Sequence, residues 1–203
     1  TIANATTFSS DATVDGTLAV GNLTDVESSI NTNTTAISTI NNTTLANFTS
    51  GARVYQDNSL NNLGVGENAL NGNATGGRNN AIGEGALSNL TSGAQNNAQG
   101  SGALGNLTSG SFNTAVGADA LRLITTGTRN VAIGDDAGHN SNGNYNTFIG
   151  TGAGGLTSGD GPGSSNVMIG YQAGYEETGS NKLYISNSSS TNLLYGDFST
   201  GDL

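Results

Sequence analysis

Residues 113–138 read NTAVGADALRLITTGTRNVAIGDDAG. Asn113, Gly117 and Ala120 return 17 residues later as Asn130, Gly134 and Ala137, with the same spacing between them. Working outward, the same glycine falls at 66, 83, 100, 117, 134, 150 and 170, so the intervals are 17, 17, 17, 17, 16 and 20. An asparagine stands four residues before every one of these glycines, and an alanine three residues after it. A fixed period of this length marks stacked repeats, each a unit that cannot bury its apolar face alone. The expected fold is mainly β, a parallel β-solenoid or β-roll of about 17-residue rungs.

The residue before each glycine is Val65, Ile82, Gln99, Val116, Ile133, Ile149 or Ile169, aliphatic in all but one rung. These side chains are expected to point inward. Ala81, Ala98, Ala115 and Ala132, one residue earlier, then occupy the alternate face of the strand, where small residues would let neighbouring chains pack closely. Leu70, Leu87, Leu104 and Leu121 follow the repeated alanine in the first four rungs, whereas Gly138, Gly154 and Gly174 replace them later, so the stack changes character near residue 135. Corner segments such as NLTSGAQ and ITTGTRN supply Gly, Ser and Thr where the chain turns back. Each rung is therefore read as two short strands and two turns. Rungs about 4.8 Å apart give a column roughly 30 Å tall. With so few apolar residues per rung, association is expected, and three chains suit it best.

Composition agrees with an extended rather than a compact architecture. The 203-residue chain has 32 glycines, one proline and no cysteine, and only 33% of it is hydrophobic, against roughly 45–50% in ordinary domains. Net charge is −10 with five Lys and Arg, which excludes a protein that neutralises nucleic-acid phosphates. The lack of cysteine excludes a disulfide scaffold and thiolate metal sites. No apolar run approaches the ~20 residues of a membrane span. The first residues, TIANATTFSS, lack the basic and apolar regions of a signal peptide, which suits a processed product or an internal fragment.

Four regions are expected. Residues 1–21 form an N-terminal β-layer or connector, with Phe8, Ala12, Val14, Leu18 and Val20 alternating around the Asp15-Gly16 turn signal. Residues 22–49 form a coiled-coil stalk, in which Leu23, Val26, Ile30, Ile37 and Ile40 make an a/d stripe with Asn33 at the vacant d position. Residues 50–175 form the repeat column, and 176–203 a C-terminal β segment or tip.

The repeat NTAVGADALRLITTG resembles the NTAIG-type repeats of phage tail fibres and trimeric surface adhesins. More loosely, it is similar to the YadA-like adhesin head, whose NSVAIG-type rungs form a trimeric left-handed parallel β-roll. The likeness covers about residues 61–175, and the period here differs from that of the YadA-like head. The stalk motif of Ile30, Asn33, Thr34 and Ile37 resembles the asparagine layer of trimeric adhesin and viral stalks. That resemblance implies three inward copies of Asn33 around an anion such as chloride, with no other cofactor. The end, from Asn181, looks like the segment that follows such columns in tail fibres, often just before an intramolecular chaperone that is cleaved away.

Several residues invite a chemical reading. Asp135 and Asp136 follow the glycine at a corner that also carries Glu67-Asn68, Glu84-Gly85 and Tyr171-Gln172, a variable outward position. They are weak calcium candidates, since Ca²⁺ collects six to eight oxygens and repeated acidic corners offer several. They lack the cleft that a catalytic carboxylate pair needs, and no catalytic residue is assigned. His139, the only histidine, cannot build a triad within one chain, although three copies could meet on a trimer axis. The glycines of IGTGAGG, from Ile149, lack the strand-helix context of a dinucleotide loop and are read as rung corners. Sequons recur, among them Asn22, Asn47, Asn89 and Asn106, and matter only in a glycosylating secretory pathway. Arg78, Phe112, Arg129 and Tyr145 share the position before the repeated asparagine and form a candidate contact stripe. Tyr171, Tyr175, Tyr184 and Tyr195 crowd the C-terminal quarter and are the receptor-contact candidates.

The expected function is a non-enzymatic homotrimeric fibre, a phage tail fibre or virion appendage that serves as spacer and host-attachment element. Its partners would be a host receptor or glycan and other virion proteins, with no nucleic acid and no membrane insertion. It would sit on the virion or at a cell surface. The alternatives are the head of a bacterial trimeric autotransporter adhesin and, less favoured, a polysaccharide-degrading tailspike. An ice-binding solenoid would need regular outward threonine rows, which the variable corners do not supply.

Overall fold

The computed structural model describes residues 54–57, 59–71, 74–155 and 161–203. The expected N-terminal layer (1–21), the coiled-coil stalk (22–49) and the Asn33 chloride layer lie outside the described residues. The described chain forms ten strands: β1 (Val54–Asp57), β2 (Asn62–Val65), β3 (Asn80–Ile82), β4 (Asn97–Gln99), β5 (Thr114–Val116), β6 (Val131–Ile133), β7 (Thr147–Ile149), β8 (Val167–Ile169), β9 (Lys182–Ile185) and β10 (Leu194–Asp197). They make one sheet in chain order. β2 to β9 are parallel, while β1 and β10 close the two ends as antiparallel partners of β2 and β9. Like positions pair with like, as in Asn80 with Asn97 and Ala81 with Ala98. The register survives the 20-residue interval, where Thr147 still meets Val167. The sheet also continues through 176–203, so the expected tip is built onto the column as its last two strands.

Each rung contributes one three- or four-residue strand, not the expected two. After the corner glycine the backbone enters the left-handed region at Asp119 (φ 53°) and Leu121 (φ 51°), which an extended strand cannot include. Rung-to-rung hydrogen bonding continues through these turns nonetheless: the Leu87 amide donates to the Ala103 carbonyl at 3.1 Å and the Thr91 amide to the Thr108 carbonyl at 2.8 Å. The corner itself demands glycine twice over. Gly117 has φ 139°, and a Cβ there would lie 2.3 Å from the carbonyl oxygen of Gly134 in the next rung.

The strand faces are the reverse of the expectation. Ala81, Ala98, Ala115 and Ala132 are fully buried, whereas Ile82 and Ile133 are 41% and 42% exposed. The reason is volume. Leu87, Leu104 and Leu121, with Leu90, Leu107 and Ile124 three residues further on, are fully buried in the same cluster as these alanines and fill the narrow interior, which leaves room for only a small side chain on the strand. The larger β-branched side chains are turned outward.

The change of character near residue 135 has the same cause. In the later rungs the inward strand residues are Phe148 and Met168, both buried, and the leucine position becomes glycine. A Cβ on Gly154 would lie 2.5 Å from the Phe148 ring, and one on Gly174 would lie 2.6 Å from the Met168 sulfur. Bulk has moved from one wall of the column to the other at roughly constant volume, the exchange that packed cores tolerate best.

The repeated asparagines form a buried spine. The Asn113 Oδ1 accepts from the Asn130 amide at 3.0 Å and from its Nδ2 at 3.1 Å. The Asn113 Nδ2 donates to the Gly127 carbonyl at 2.8 Å and to the Asn96 Oδ1 at 3.1 Å. Asn79, Asn96 and Asn130 repeat the scheme, and Asn166 ends it by accepting from the Lys182 amide at 2.8 Å. Only a side chain with both an acceptor and a donor can join consecutive rungs in this way, which is why asparagine recurs.

Candidate interaction surfaces

Four surfaces flank the described column: the outer face of the sheet, set by strand alternation, its two edges, and a far flank. The outward positions of β2 to β8 make a flat face whose residues come from the segments NLGV, NAI, NAQ, TAV, VAI, TFI and VMI. None of these outward residues is charged, and most are Val, Ile or Leu. A polar interruption sits in the middle: Asn80 Nδ2 and Gln99 Nε2 both donate to Asn97 Oδ1, at 3.0 and 3.2 Å. Asn80 Oδ1 is shielded from solvent and has no hydrogen-bond partner.

The edge where the strands begin carries the stripe of Arg78, Phe112, Arg129 and Tyr145. All four are exposed and all have positive φ, between 57° and 63°. The structure brings three of them together. The Arg129 guanidinium lies 5.1 Å from the Phe112 ring centroid and 5.6 Å from that of Tyr145, and its Nη1 donates to the Tyr145 hydroxyl at 3.3 Å. Two rings flank the guanidinium, an arrangement that restricts its rotamers.

The opposite edge, just past the corner glycines, is acidic. Glu67, Glu84 and Asp135 are exposed there, with no ion-pair partner among the described residues. Of the two adjacent aspartates named as weak calcium candidates, Asp135 stands exposed on this edge and is not part of the cluster that Asp136 joins. Asp136 instead lies with Asp119 of the previous rung and with His139, each offering one atom within 4.8 Å of the others. Arg122 Nη1 already holds Asp119 Oδ2 at 3.2 Å, and His139 Nε2 lies 4.0 Å from Asp136 Oδ1. One imidazole and two carboxylates would suit a transition metal better than calcium, which takes oxygen alone. Asp119 lies one 17-residue period before Asp136 and His139 three residues after it, a spacing that the adjacent pair Asp135-Asp136 obscured.

The far flank bears Thr91, Thr108 and Thr125 in a column. The hydroxyls of Thr91 and Thr108 donate to the carbonyl of the threonine one rung on, at 2.8 and 2.9 Å. A threonine row does therefore exist, on the NLTSG and ITTG turn segments and not at the variable positions after the repeated glycine.

The four C-terminal tyrosines do not form one surface. Tyr184 and Tyr195 pack edge to face with ring centroids 5.1 Å apart, and the Tyr184 hydroxyl donates to the Glu177 carboxylate at 2.6 Å. Burial, and then that hydrogen bond, raise the Tyr184 pKa above the usual phenol value. Tyr171 stands on the acidic edge of the last regular rung, and Tyr175 is half-buried beside Gly152. Lys182 Nζ and Asp197 Oδ2 lock β9 to β10 at 2.5 Å. The ammonium is the chief reason that the Asp197 carboxyl is held at about 2, with the Ser199 hydroxyl and amide assisting, and the same contact raises Lys182.

These features define a parallel β-solenoid repeat protein of about seven turns. No protein-family model, curated protein or solved structure matches the chain.

Proposed function

We propose that the chain is a non-enzymatic homotrimeric fibre protein, a phage tail fibre or related virion appendage. The solenoid serves as spacer, and the C-terminal end contacts the host surface. The observation that supports the reading best is the outer face of the sheet. Parallel sheets are ordinarily covered on both faces, and a one-sided sheet alternates apolar with polar or charged residues. Here β6 reads VAI and β8 reads VMI, apolar inside and out, in a chain of net charge −10 that keeps its charges off this face. Covering it with further copies of the same face accounts for both facts. The C-terminal end adds Leu193, Tyr195, Phe198 and Leu203, all exposed, as contact surface.

The test is the oligomeric state of the full chain. Mass photometry and light scattering should give three copies, and Ile133→Asp together with Ile149→Asp should lower the trimer fraction without changing the far-UV circular dichroism of the remaining chains. A stable monomer at micromolar concentration refutes the reading. Hydrolysis of host surface polysaccharide by the purified protein would replace fibre with tailspike.

A further inference from the structure

The outer face is too small to hold copies together by itself. Three strand residues across and seven rungs tall, from β2 to β8, it covers roughly 350 Å² in plane. A standard interface buries about 800 Å² on each partner. The corners on either side of the face must therefore join the contact if the trimer forms, and the residues at those corners indicate how.

Rotation about an axis parallel to the column brings equal rungs to equal height and keeps all strands running in the same rotational sense. Where two copies meet, the end of a strand in one faces the beginning of a strand in the next. The beginning edge carries the residue five before the corner glycine, and the ending edge carries the residue one after it. These two positions correspond in character rung by rung. The rungs with arginine at the beginning, Arg78 and Arg129, are rungs with an acid at the end, Glu84 and Asp135. The rung with polar Gln95 ends in Ser101, and the one with aromatic Phe112 ends in Ala118. Asn61, Tyr145 and Ser165 face Glu67, Thr151 and Tyr171, combinations without like charge. No acid occupies the beginning position and no base the ending one.

Within one chain this correspondence has no direct cause. The three strand residues between the two positions alone span about 10 Å, and each position lies at the opposite end of the strand. The charges are also free to pair elsewhere. Of the four described cations, Arg122 and Lys182 are held by Asp119 and Asp197, while Arg78 and Arg129 have no carboxylate partner among the described residues. Phe112 and Tyr145 flank the Arg129 guanidinium on the exposed rim.

We propose that copies of this chain join edge to edge, the arginine edge of one sheet against the acidic edge of the next, with Arg78 meeting Glu84 and Arg129 meeting Asp135 at the same height. The inference rests on the trimer reading and adds its contact and register to it. The interface is heterologous and closes as a ring, which sets the direction in which the three columns follow one another. The charge pairs supply register and specificity, while the apolar face supplies the area.

The test uses the absence of cysteine from the chain. In the full-length protein, Arg129→Cys combined with Asp135→Cys should give covalently linked dimers and trimers on a denaturing gel after mild oxidation. An intrachain bridge is barred, because a disulfide needs Cα atoms within about 7 Å. Arg129→Cys with Glu84→Cys, three rungs or about 14 Å out of register, should give none. Light scattering of the reduced double variant separates the two levels of the argument. A trimer without the 129–135 bridge, or with the 129–84 bridge, overturns the edge pairing and leaves the trimer standing, whereas a monomeric parent protein overturns both. As a second arm, Arg78→Glu with Arg129→Glu should raise the dissociation constant about tenfold or more, and adding Glu84→Arg with Asp135→Arg should restore it. Failure of the restored variant to regain affinity, with circular dichroism unchanged, would also refute the pairing.

Discussion

Asn113→Ala removes one link of the asparagine spine, and its cost can be worked from the bonds it breaks. The Asn130 amide loses its acceptor at 3.0 Å, and the Gly127 carbonyl loses its donor at 2.8 Å. The Asn130 Nδ2 retains the Gly143 carbonyl, and the Asn96 Oδ1 retains the residue 113 amide. Two backbone groups are thus orphaned beside a fully buried position. At about 1–3 kcal/mol for each unsatisfied buried group, the cost is about 2–6 kcal/mol, a large share of the ~5–15 kcal/mol that stabilises a typical protein. Asn113→Asp keeps the acceptor toward Asn130 but sets a carboxylate against the Gly127 carbonyl, so it should cost more than alanine at neutral pH and recover in acid as the carboxyl protonates. Asn106→Ala, at an exposed position whose side chain accepts a single hydrogen bond, from Asn89 Nδ2 at 3.3 Å, is the control and should change stability by no more than about 0.5 kcal/mol. Urea denaturation followed by circular dichroism provides the measurement, with the slope checked for loss of cooperativity along the stack. If Asn113→Ala and Asn106→Ala unfold at the same urea concentration, the spine does not stabilise the column in the way described.

Two further outcomes test the core and the cap. Phe148→Ala should destabilise by about 3–5 kcal/mol, and Gly154→Ala, which adds a methyl 2.5 Å from the same ring in a left-handed backbone position, should destabilise by about 1–3 kcal/mol. The double variant, read by the same denaturation, should cost less than the sum, because the truncated ring leaves room for the methyl. The β9–β10 cap should be acid-labile. An unfolded aspartate titrates near ~3.9 and folded Asp197 at about 2, so its contribution is fully present above pH ~4 and is lost as pH falls through about 2. Limited proteolysis of the C-terminal strand by pepsin between pH 4 and 2 should accelerate accordingly, and Asp197→Asn should abolish that pH dependence.

The period, the corner glycines and the recurrence of the asparagines were legible in the sequence because their cause is local and repeats. Gly117 is needed by its own φ and by the next corner, and Asn113 by the rungs on either side, so each position recurs at every turn. One further signal was available: Asn113 and Ala115 are two residues apart and share a strand face, so the invariant asparagine already marked the alanine side as the interior. The apolarity of Ile133 outweighed it. Which face turns inward was decided by tertiary volume, since Leu121 and Ile124 from the rest of the rung leave space for Ala115 and none for Val116. Likewise, the exchange of leucine for glycine was visible as a change of letters, but its meaning depended on the distance from Gly154 to Phe148. The grouping of Asp119, Asp136 and His139, and the assignment of Arg129 and Asp135 to opposite edges of one sheet, required the rungs to be stacked. Sequence alone determines which residues repeat; only the three-dimensional column determines which of them compete for the same space and which end up on facing edges.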